Sequence, residues 1–266
     1  MAWFCRLFGL LGCLGLCLPL AAPAEESLRY AGATTLQRYF MPEAARAFYA
    51  ETGVRMTIDG GNTNAGIKAL LAGEIDVAGA GRHLTAEEKR QGLVEHFLGW
   101  DLLAIVVSKD NPVTSLSQRQ LQGIIAGDLA NWQTVGGPDQ PIIVMSAPKG
   151  SGMRSAVQEL ILKERDFSPG EVVSAIVAQT DQQVSLFPGA IAAVSLSMVD
   201  SDTVKVIAVD GVEPSPANIQ LKKYPLAKPL ALVTRGQPKG ALAQFIALAK
   251  GPRGQKILNK QFVAAP

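Results

Sequence analysis

The heptapeptide PKGSGMR, residues 148–154, has the composition of a turn that binds an anion at the start of a helix. Two other segments share this design, with glycines and hydroxyl side chains before a helical pattern: GATT at residues 32–35 and GGNTNAG at residues 60–66. The first turn of a helix offers free N–H groups and the positive end of the helix dipole, and hydroxyls add further donors. Three such segments favour an anion site if the fold brings them together. Because the same residue types are ordinary in turns and helix caps, each segment alone is compatible with either role.

Three basic side chains lie near these segments. Arg82 follows the strand-like residues 75–80, and its planar guanidinium can neutralise an anion; an ion pair at the surface or between lobes is the alternative. Arg154 falls in the first turn of a predicted helix, where a cation opposes the dipole, which indicates a nearby anion unless the side chain is solvated. Lys149 can contribute charge or be a solvated loop residue.

Few residues in the chain are suited to catalysis. The only histidines are His83 and His96, and neither has the spacing of a His-Glu-x-x-His metal motif. The three cysteines all fall within the first 17 residues. No nucleophile with an adjacent base is evident, so a hydrolase is disfavoured. We therefore predict a protein that is not an enzyme and has no catalytic residue, metal ligand or cofactor; Trp100 and Trp132 are predicted to be packing residues.

The first 24 residues have the pattern of a secretory signal peptide. Arg6 precedes the apolar run 7–20, and Ala-Pro-Ala follows at residues 22–24. A membrane anchor is the alternative, but glycines and Pro19 interrupt the run, which is shorter than the ~20 residues of a membrane span. We expect cleavage near Glu25, export, and no membrane insertion afterwards. The charge is nearly balanced, with 25 lysine and arginine residues against 23 acidic residues and no basic block, so nucleic acid is not an expected partner.

Short apolar segments alternate with helical patterns after the signal, which predicts an α/β fold with mostly parallel sheets. The predicted strands are residues 75–80, 102–107, 142–145, 190–194, 204–209 and 230–233. Three helix starts fit the capping box, in which a hydroxyl residue precedes Glu or Gln by three positions: Thr85, Ser117 and Thr180. Residues 99–103 and 210–216 are the expected places for the chain to pass between lobes.

The chain resembles the phosphate-binding periplasmic proteins of ABC transporters. The similarity runs through AGATTL, GGNTNAGIKALLAGEIDVAGAGRHLTAEEK, PKGSGMR and KYPLAKPLALVT, in the order found in that family. It implies a type II periplasmic binding protein with two lobes, each a mostly parallel sheet flanked by helices, and a ligand cleft at the hinge. The expected boundaries are 1–24 for the signal peptide, 25–103 for the first part of lobe 1, 104–204 for lobe 2, and 205–266 for the return to lobe 1.

The resemblance also implies a ligand set. The family's binding hydroxyls correspond to Thr34, Thr63 and Ser151, Gly152 supplies a backbone N–H, and Arg82 matches an arginine of one branch. Together with Arg154, these residues form the predicted site.

Three positions depart from the family pattern. Gly81 replaces a Ser or Asp, Ala147 an arginine, and Met153 a threonine. These departures predict weaker binding and weaker discrimination between phosphate and sulfate.

The predicted function is capture of phosphate or a related oxyanion by a monomeric periplasmic protein that delivers it to an ABC transporter permease. The alternative, from a different class, is a sensory or interaction protein that keeps the fold but has a degenerate anion site.

Overall fold

The computed structural model describes residues 27–176 and 179–265. The predicted signal peptide lies outside the described residues. None of the helices within these two ranges combines the length and the apolar character that a membrane crossing requires.

The first and last of the described strands lie in one lobe, called the first lobe here. Its helices and strands are β1 Ser27–Gly32, α1 Thr34–Tyr39, α2 Met41–Thr52, β2 Arg55–Ile58, α3 Thr63–Ala72, β3 Val77–Ala80, α4 Ala86–Arg90 and the first part of β4 Leu93–Ser108.

The second lobe is formed by the middle of the chain. It contains the rest of β4 together with β5 Ser115–Leu116, α5 Gln118–Ala126, β6 Ile143–Ser146, α6 Gly152–Val157, β7 Val172–Val173, α7 Thr180–Ser185, β8 Ala190–Ser195, β9 Val204–Val209 and α8 Pro216–Gln220. The chain then returns to the first lobe with β10 Ala227–Arg235, α9 Gly240–Lys250, α10 Pro252–Leu258 and β11 Val263–Ala264.

Each lobe is an α/β structure with its own sheet. The first sheet has the order β2-β1-β3-β10-β4, and β11 also pairs with β4. In the second sheet, β4 pairs with β8 and β9, and β6 and β7 extend the β8 side. The parallel pairing predicted from the sequence is found between β1, β2 and β3 and between β6, β7 and β8. Both sheets are mixed, because the strands that join the lobes, β4 and β10, pair antiparallel with their neighbours.

Strand β4 changes partners in its middle. Its residues up to Leu102 pair with β10, and those from Leu103 pair with β8 and β9. On the return, the backbone N–H of Leu103 donates to the carbonyl of Leu226 (2.9 Å), one residue before β10 begins. Two neighbouring strands, β4 and β10, thus connect the lobes.

We propose that the return to the first lobe begins near Ala227 and not at residue 205. Strand β9 pairs with the second half of β4, and Tyr224 and Leu226 are buried in the core of the second lobe. Residues 205–226, which the sequence places in the returning lobe, therefore pack with the second lobe.

Each lobe buries a separate apolar core. Aromatic residues such as Tyr30, Phe48 and Phe245 fill the first, and the second surrounds Trp132. Trp132 is fully buried and its indole N–H donates to the carbonyl of Gly189 (2.9 Å), which confirms its predicted packing role. The capping boxes at Thr85 and Ser117 are confirmed. The one at Thr180 is wrong, because helix α7 starts at Thr180 itself and Gln179 is the N-cap.

A close backbone approach sets the positions of two of the predicted anion-binding segments. A Cβ added to Gly66 in α3 would lie 2.7 Å from Gly32 Cα and 2.8 Å from the carbonyl oxygen of Ala31. Glycine at position 66 therefore lets α3 pack directly against the end of β1. The starts of α1 and α3 become neighbours, and the Thr34 hydroxyl donates to the carbonyl of Gly61 (2.9 Å).

We predict that Gly66→Ala destabilises the protein. In an exposed helix interior this change would stabilise by about 1 kcal/mol through helix propensity. Here the added methyl group clashes with the end of β1 at a cost of about 1–3 kcal/mol, which offsets that gain, and we expect a net loss of up to about 2 kcal/mol. Lys68→Ala, at an exposed position of the same helix, is the control. Urea unfolding measures both changes, and a Gly66→Ala variant as stable as the original protein would contradict the proposed close packing.

Candidate functional site

A cavity between the lobes is lined by the three predicted anion-binding segments. Both lobes contribute to it, and it encloses about 300 Å³ with its open mouth included. The lining residues are Ala33, Thr34 and Thr35 at the start of α1, Asn62 and Thr63 at the start of α3, Ser151, Gly152 and Met153 at the start of α6, Gly81 after β3, and Lys228 in β10.

The helix caps position the side chains of this cavity. Asn62 is the N-cap of α3, and its side-chain oxygen Oδ1 accepts from the backbone N–H of Ala65 (3.0 Å). Because Asn62 fills the capping role, the adjacent Thr63 is left to line the cavity. In α6 the N-cap is Ser151, whose hydroxyl oxygen accepts from the backbone N–H of Arg154 (3.2 Å).

Two buried hydroxyl groups have hydrogens available to a ligand. The Thr63 side chain is fully buried and its oxygen accepts from the backbone N–H of Gly81 (3.0 Å). Ser151 is 2% exposed and likewise uses its oxygen as an acceptor. Since a hydroxyl has one hydrogen and two lone pairs, each can still donate its hydrogen to an anion.

Thr34 has the opposite role. Its hydroxyl hydrogen is directed to the carbonyl oxygen of Gly61, so the side chain offers its lone pairs as acceptors. The cavity therefore combines hydroxyl donors with a neutral acceptor at Thr34.

The lobes touch at the cavity. The backbone N–H of Asn64 in the first lobe donates to the carbonyl of Gly150 in the second (3.1 Å). A Cβ added to Gly152 would lie 2.8 Å from Gly81 Cα. Any side chain at position 152 would force the lobes apart, so the closed arrangement requires glycine there.

Arg82, predicted to bind the anion, does not line the cavity. Its guanidinium pairs with Glu88 through two hydrogen bonds of 2.7 and 2.8 Å and also donates to the side chain of Asn64. This pairing with Arg82 is the main reason that the pKa of Glu88 lies below its usual value. The predicted role of Arg82 in anion binding thus gains no support, and its contacts match the ion-pair alternative.

Arg154 is also turned away from the cavity. Its guanidinium pairs with Glu171 (2.6 Å), donates to the Ser146 hydroxyl (3.0 Å), and stacks over the ring of Phe167. These contacts lie inside the second lobe. Lys149 is exposed and is not among the lining residues.

The three departures from the family pattern have different structural settings. Ala147 is buried and leaves the position of the expected arginine apolar. Met153 borders the cavity but also packs into the second core. The missing side chain at Gly81 leaves space beside the Lys228 ammonium group. A Cβ added at position 81 would lie 3.2 Å from the Lys228 nitrogen.

Lys228 was not predicted from the sequence. Its ammonium lies 2.6 Å from the carboxylate of Asp101, and both side chains are almost fully buried. Each of these charged residues interrupts an apolar segment, AKPLALV for Lys228 and GWDLLAIVV for Asp101. A charge inside a buried strand pattern is the signal that could have identified the pair, since charged residues are rarely buried unless paired.

The histidines are structural. His96 is buried, its ring contacts the Thr234 hydroxyl (2.8 Å), and burial followed by the nearby charge of Lys250 lowers its pKa. His83 pairs with the carboxylate of Glu95.

Comparison with known proteins supplies the family. The model of one protein family, described as a PBP superfamily domain, matches residues 19–251. The phosphate-binding protein PstS of Borreliella burgdorferi is 25% identical over 248 residues, 89% of each chain. PstS of Bacillus subtilis is 26% identical over 245 residues, 88% of this chain and 79% of the relative.

Solved structures agree with this comparison. A putative phosphate ABC transporter substrate-binding protein from Clostridium perfringens, solved with bound phosphate, has a TM-score of 0.85 and 31% identity, covering 91% of this chain and 100% of the other. An ABC-type phosphate transport receptor from Vibrio cholerae has a TM-score of 0.77 and 28% identity, covering 90% and 100%. Because the family model matches most of the chain, the protein belongs to the PBP superfamily of two-lobed solute-binding proteins, which are not enzymes.

Proposed function

We propose that this protein binds phosphate non-covalently in the cavity between its lobes and delivers it to an ABC transporter permease. The observation that carries the proposal is the convergence of three helix-starting segments from both lobes on one cavity. The named activity of the relatives, phosphate binding, agrees with it. Export to the periplasm, a monomeric state and the permease as partner are part of the same proposal.

The cavity supplies the groups that a desolvated anion needs. An anion loses its hydration when it enters a buried site and must be compensated by oriented donors. Thr63 and Ser151 each offer a hydroxyl hydrogen, and the starts of α1, α3 and α6 offer backbone N–H groups, among them that of Gly152. Thr34, Thr63, Ser151 and Gly152 are therefore the ligands we propose from the predicted set.

The acceptor at Thr34 bears on selectivity. Hydrogen phosphate carries a proton that must be accepted, whereas sulfate carries none. Among the described residues, no carboxylate borders the cavity. The neutral Thr34 oxygen can accept the proton of hydrogen phosphate, and it does not repel sulfate as a carboxylate would.

The contact between the lobes is consistent with delivery to a partner. The Asn64–Gly150 hydrogen bond joins the lobes beside the cavity. A bound anion that contacts both sides stabilises this closed form, and a permease can recognise the closed form by its surface.

A second candidate function is sensing or interaction without transport. Ala147 and Met153 favour it, because these two positions, at which the family carries a charged or polar ligand, have apolar side chains here. A calorimetric titration with phosphate, sulfate and other oxyanions separates the two. If the protein binds none of these anions, sensing or interaction becomes the better explanation of its function.

We predict that Thr63→Val and Ser151→Ala each weaken phosphate binding by about tenfold to a hundredfold. Each removes one hydrogen bond to a charged group, worth about 1.5–3 kcal/mol. Isothermal titration calorimetry measures the dissociation constants.

Matched controls exist for both variants. Ser117→Ala removes an equivalent helix cap in α5, away from the cavity, and should lower stability by about 1 kcal/mol while leaving affinity unchanged. Thr57→Val, at an exposed position of β2, controls for Thr63→Val. Unchanged affinity in both cavity variants would place the ligand elsewhere.

We predict a different effect for Thr34→Val. Loss of the acceptor should weaken phosphate binding by about tenfold and change sulfate binding much less, because only hydrogen phosphate uses the acceptor. Competition titrations with both anions give the ratio. An equal loss for the two anions would show that Thr34 acts as a donor and would contradict the hydrogen-bond assignment.

A further inference from the structure

We propose that Lys228 is the cationic ligand of the anion and that Asp101 is the positioning residue that holds it at the hinge. This inference rests on the proposed function, since it assigns the positive charge of the same cavity.

The ammonium group of Lys228 has unused donors. Its side chain is 3% exposed, and its nitrogen lies 2.6 Å from a carboxylate oxygen of Asp101. An ammonium group has three N–H donors. Within the described residues, Asp101 is the one ion-pair partner of the Lys228 ammonium. Burying a charge with unsatisfied donors is unfavourable. Because Lys228 lines the cavity, an anion bound there can accept the remaining hydrogen bonds.

Asp101 is held from the second lobe. Its other carboxylate oxygen accepts a hydrogen bond from the Ser195 hydroxyl at the end of β8 (2.5 Å), and Ser195 is itself hydrogen-bonded to Ser197. Asp101 is not among the residues that line the cavity. Its negative charge therefore lies behind the ammonium, where it fixes Lys228 without facing the ligand.

The pair occupies the connection between the lobes. Lys228 in β10 and Asp101 in β4 are directly opposite each other in the sheet, one residue from the point where β4 changes partners. A cation at this place keeps its position when the lobes move about the hinge. The ion pair also balances its own charge when the cavity is empty, so the buried lysine does not require a permanently bound anion.

The absence of a side chain at position 81 is part of the same arrangement. A Cβ there would approach the Lys228 nitrogen to 3.2 Å, tighter than most real contacts, and a longer side chain would compete for the same space. Glycine at 81 admits the ammonium to the cavity. The positive charge missing at Ala147, and not supplied by Arg82 or Arg154, is thereby provided from the hinge.

The test compares three variants by calorimetric titration with inorganic phosphate. Lys228→Met removes the cation but leaves Asp101 unpaired, so the double variant Lys228→Met/Asp101→Asn is included to remove both buried charges together. We expect both variants to bind phosphate at least about a hundredfold more weakly than the original protein. Asp101→Asn alone leaves the cation in the cavity but removes the charge that holds it in place, so it should weaken phosphate binding less than Lys228→Met does.

The double variant distinguishes a ligand from a structural ion pair. In a merely structural pair each single change does harm because it leaves one buried charge uncompensated, so removal of both charges would restore tight phosphate binding, and that result would overturn the proposal. Lys149→Met removes an exposed lysine close to the cavity and controls for long-range attraction; it should change affinity less than threefold at physiological salt. Circular dichroism and thermal unfolding establish that each variant is folded.

Failure of this inference can be told from failure of the proposed function. If Thr63→Val weakens phosphate binding while the folded double variant binds as tightly as the original protein, Lys228 is not a ligand and the phosphate site remains. If the original protein binds no phosphate, the proposed function itself is wrong.

Discussion

The contact between Gly81 and Gly152 is the constraint on which the site depends. The two lobes approach so closely there that a Cβ at position 152 would lie 2.8 Å from the Cα of Gly81. This approach brings Thr63 from the first lobe and Ser151 from the second to the same cavity. Hydroxyls on separate lobes can bind one small anion only if the backbones between them leave no room for side chains. The site is therefore a property of the closed arrangement as much as of its individual ligands.

The basic side chains near the cavity differ in how fully their ion pairs use their hydrogen-bond donors. Arg82 and Arg154 each form a two-point ion pair with a glutamate, a geometry to which the guanidinium group is suited. Among residues 27–176 and 179–265, the ammonium of Lys228 has one ion-pair partner, Asp101, and an ammonium has three donors. In the mechanism we propose, the charge that attracts the anion lies on the strands that join the lobes, while the hydroxyls that orient the anion lie at the helix starts on either side.

Much of the local structure could be predicted from the sequence. All six predicted strand segments are found in strands β3, β4, β6, β8, β9 and β10. The capping boxes at Thr85 and Ser117 form because they depend on residues three apart in one helix. The same local rule failed at Thr180, because helix α7 begins at Thr180 itself, one residue earlier than a cap at that position would require. The return to the first lobe, which we propose to begin near Ala227, has no local sequence pattern, because it depends on strand pairing over more than 100 residues.

By itself the sequence determined the α/β class and the three segments of glycine and hydroxyl residues that precede helices, because glycine, hydroxyl and apolar positions act over short distances. Only the tertiary structure decided which cations face the cavity. The partners of Arg154 and Lys228 lie 17 and 127 residues away along the chain, at Glu171 and Asp101, and a charged side chain takes its orientation from the opposite charge that folding places beside it.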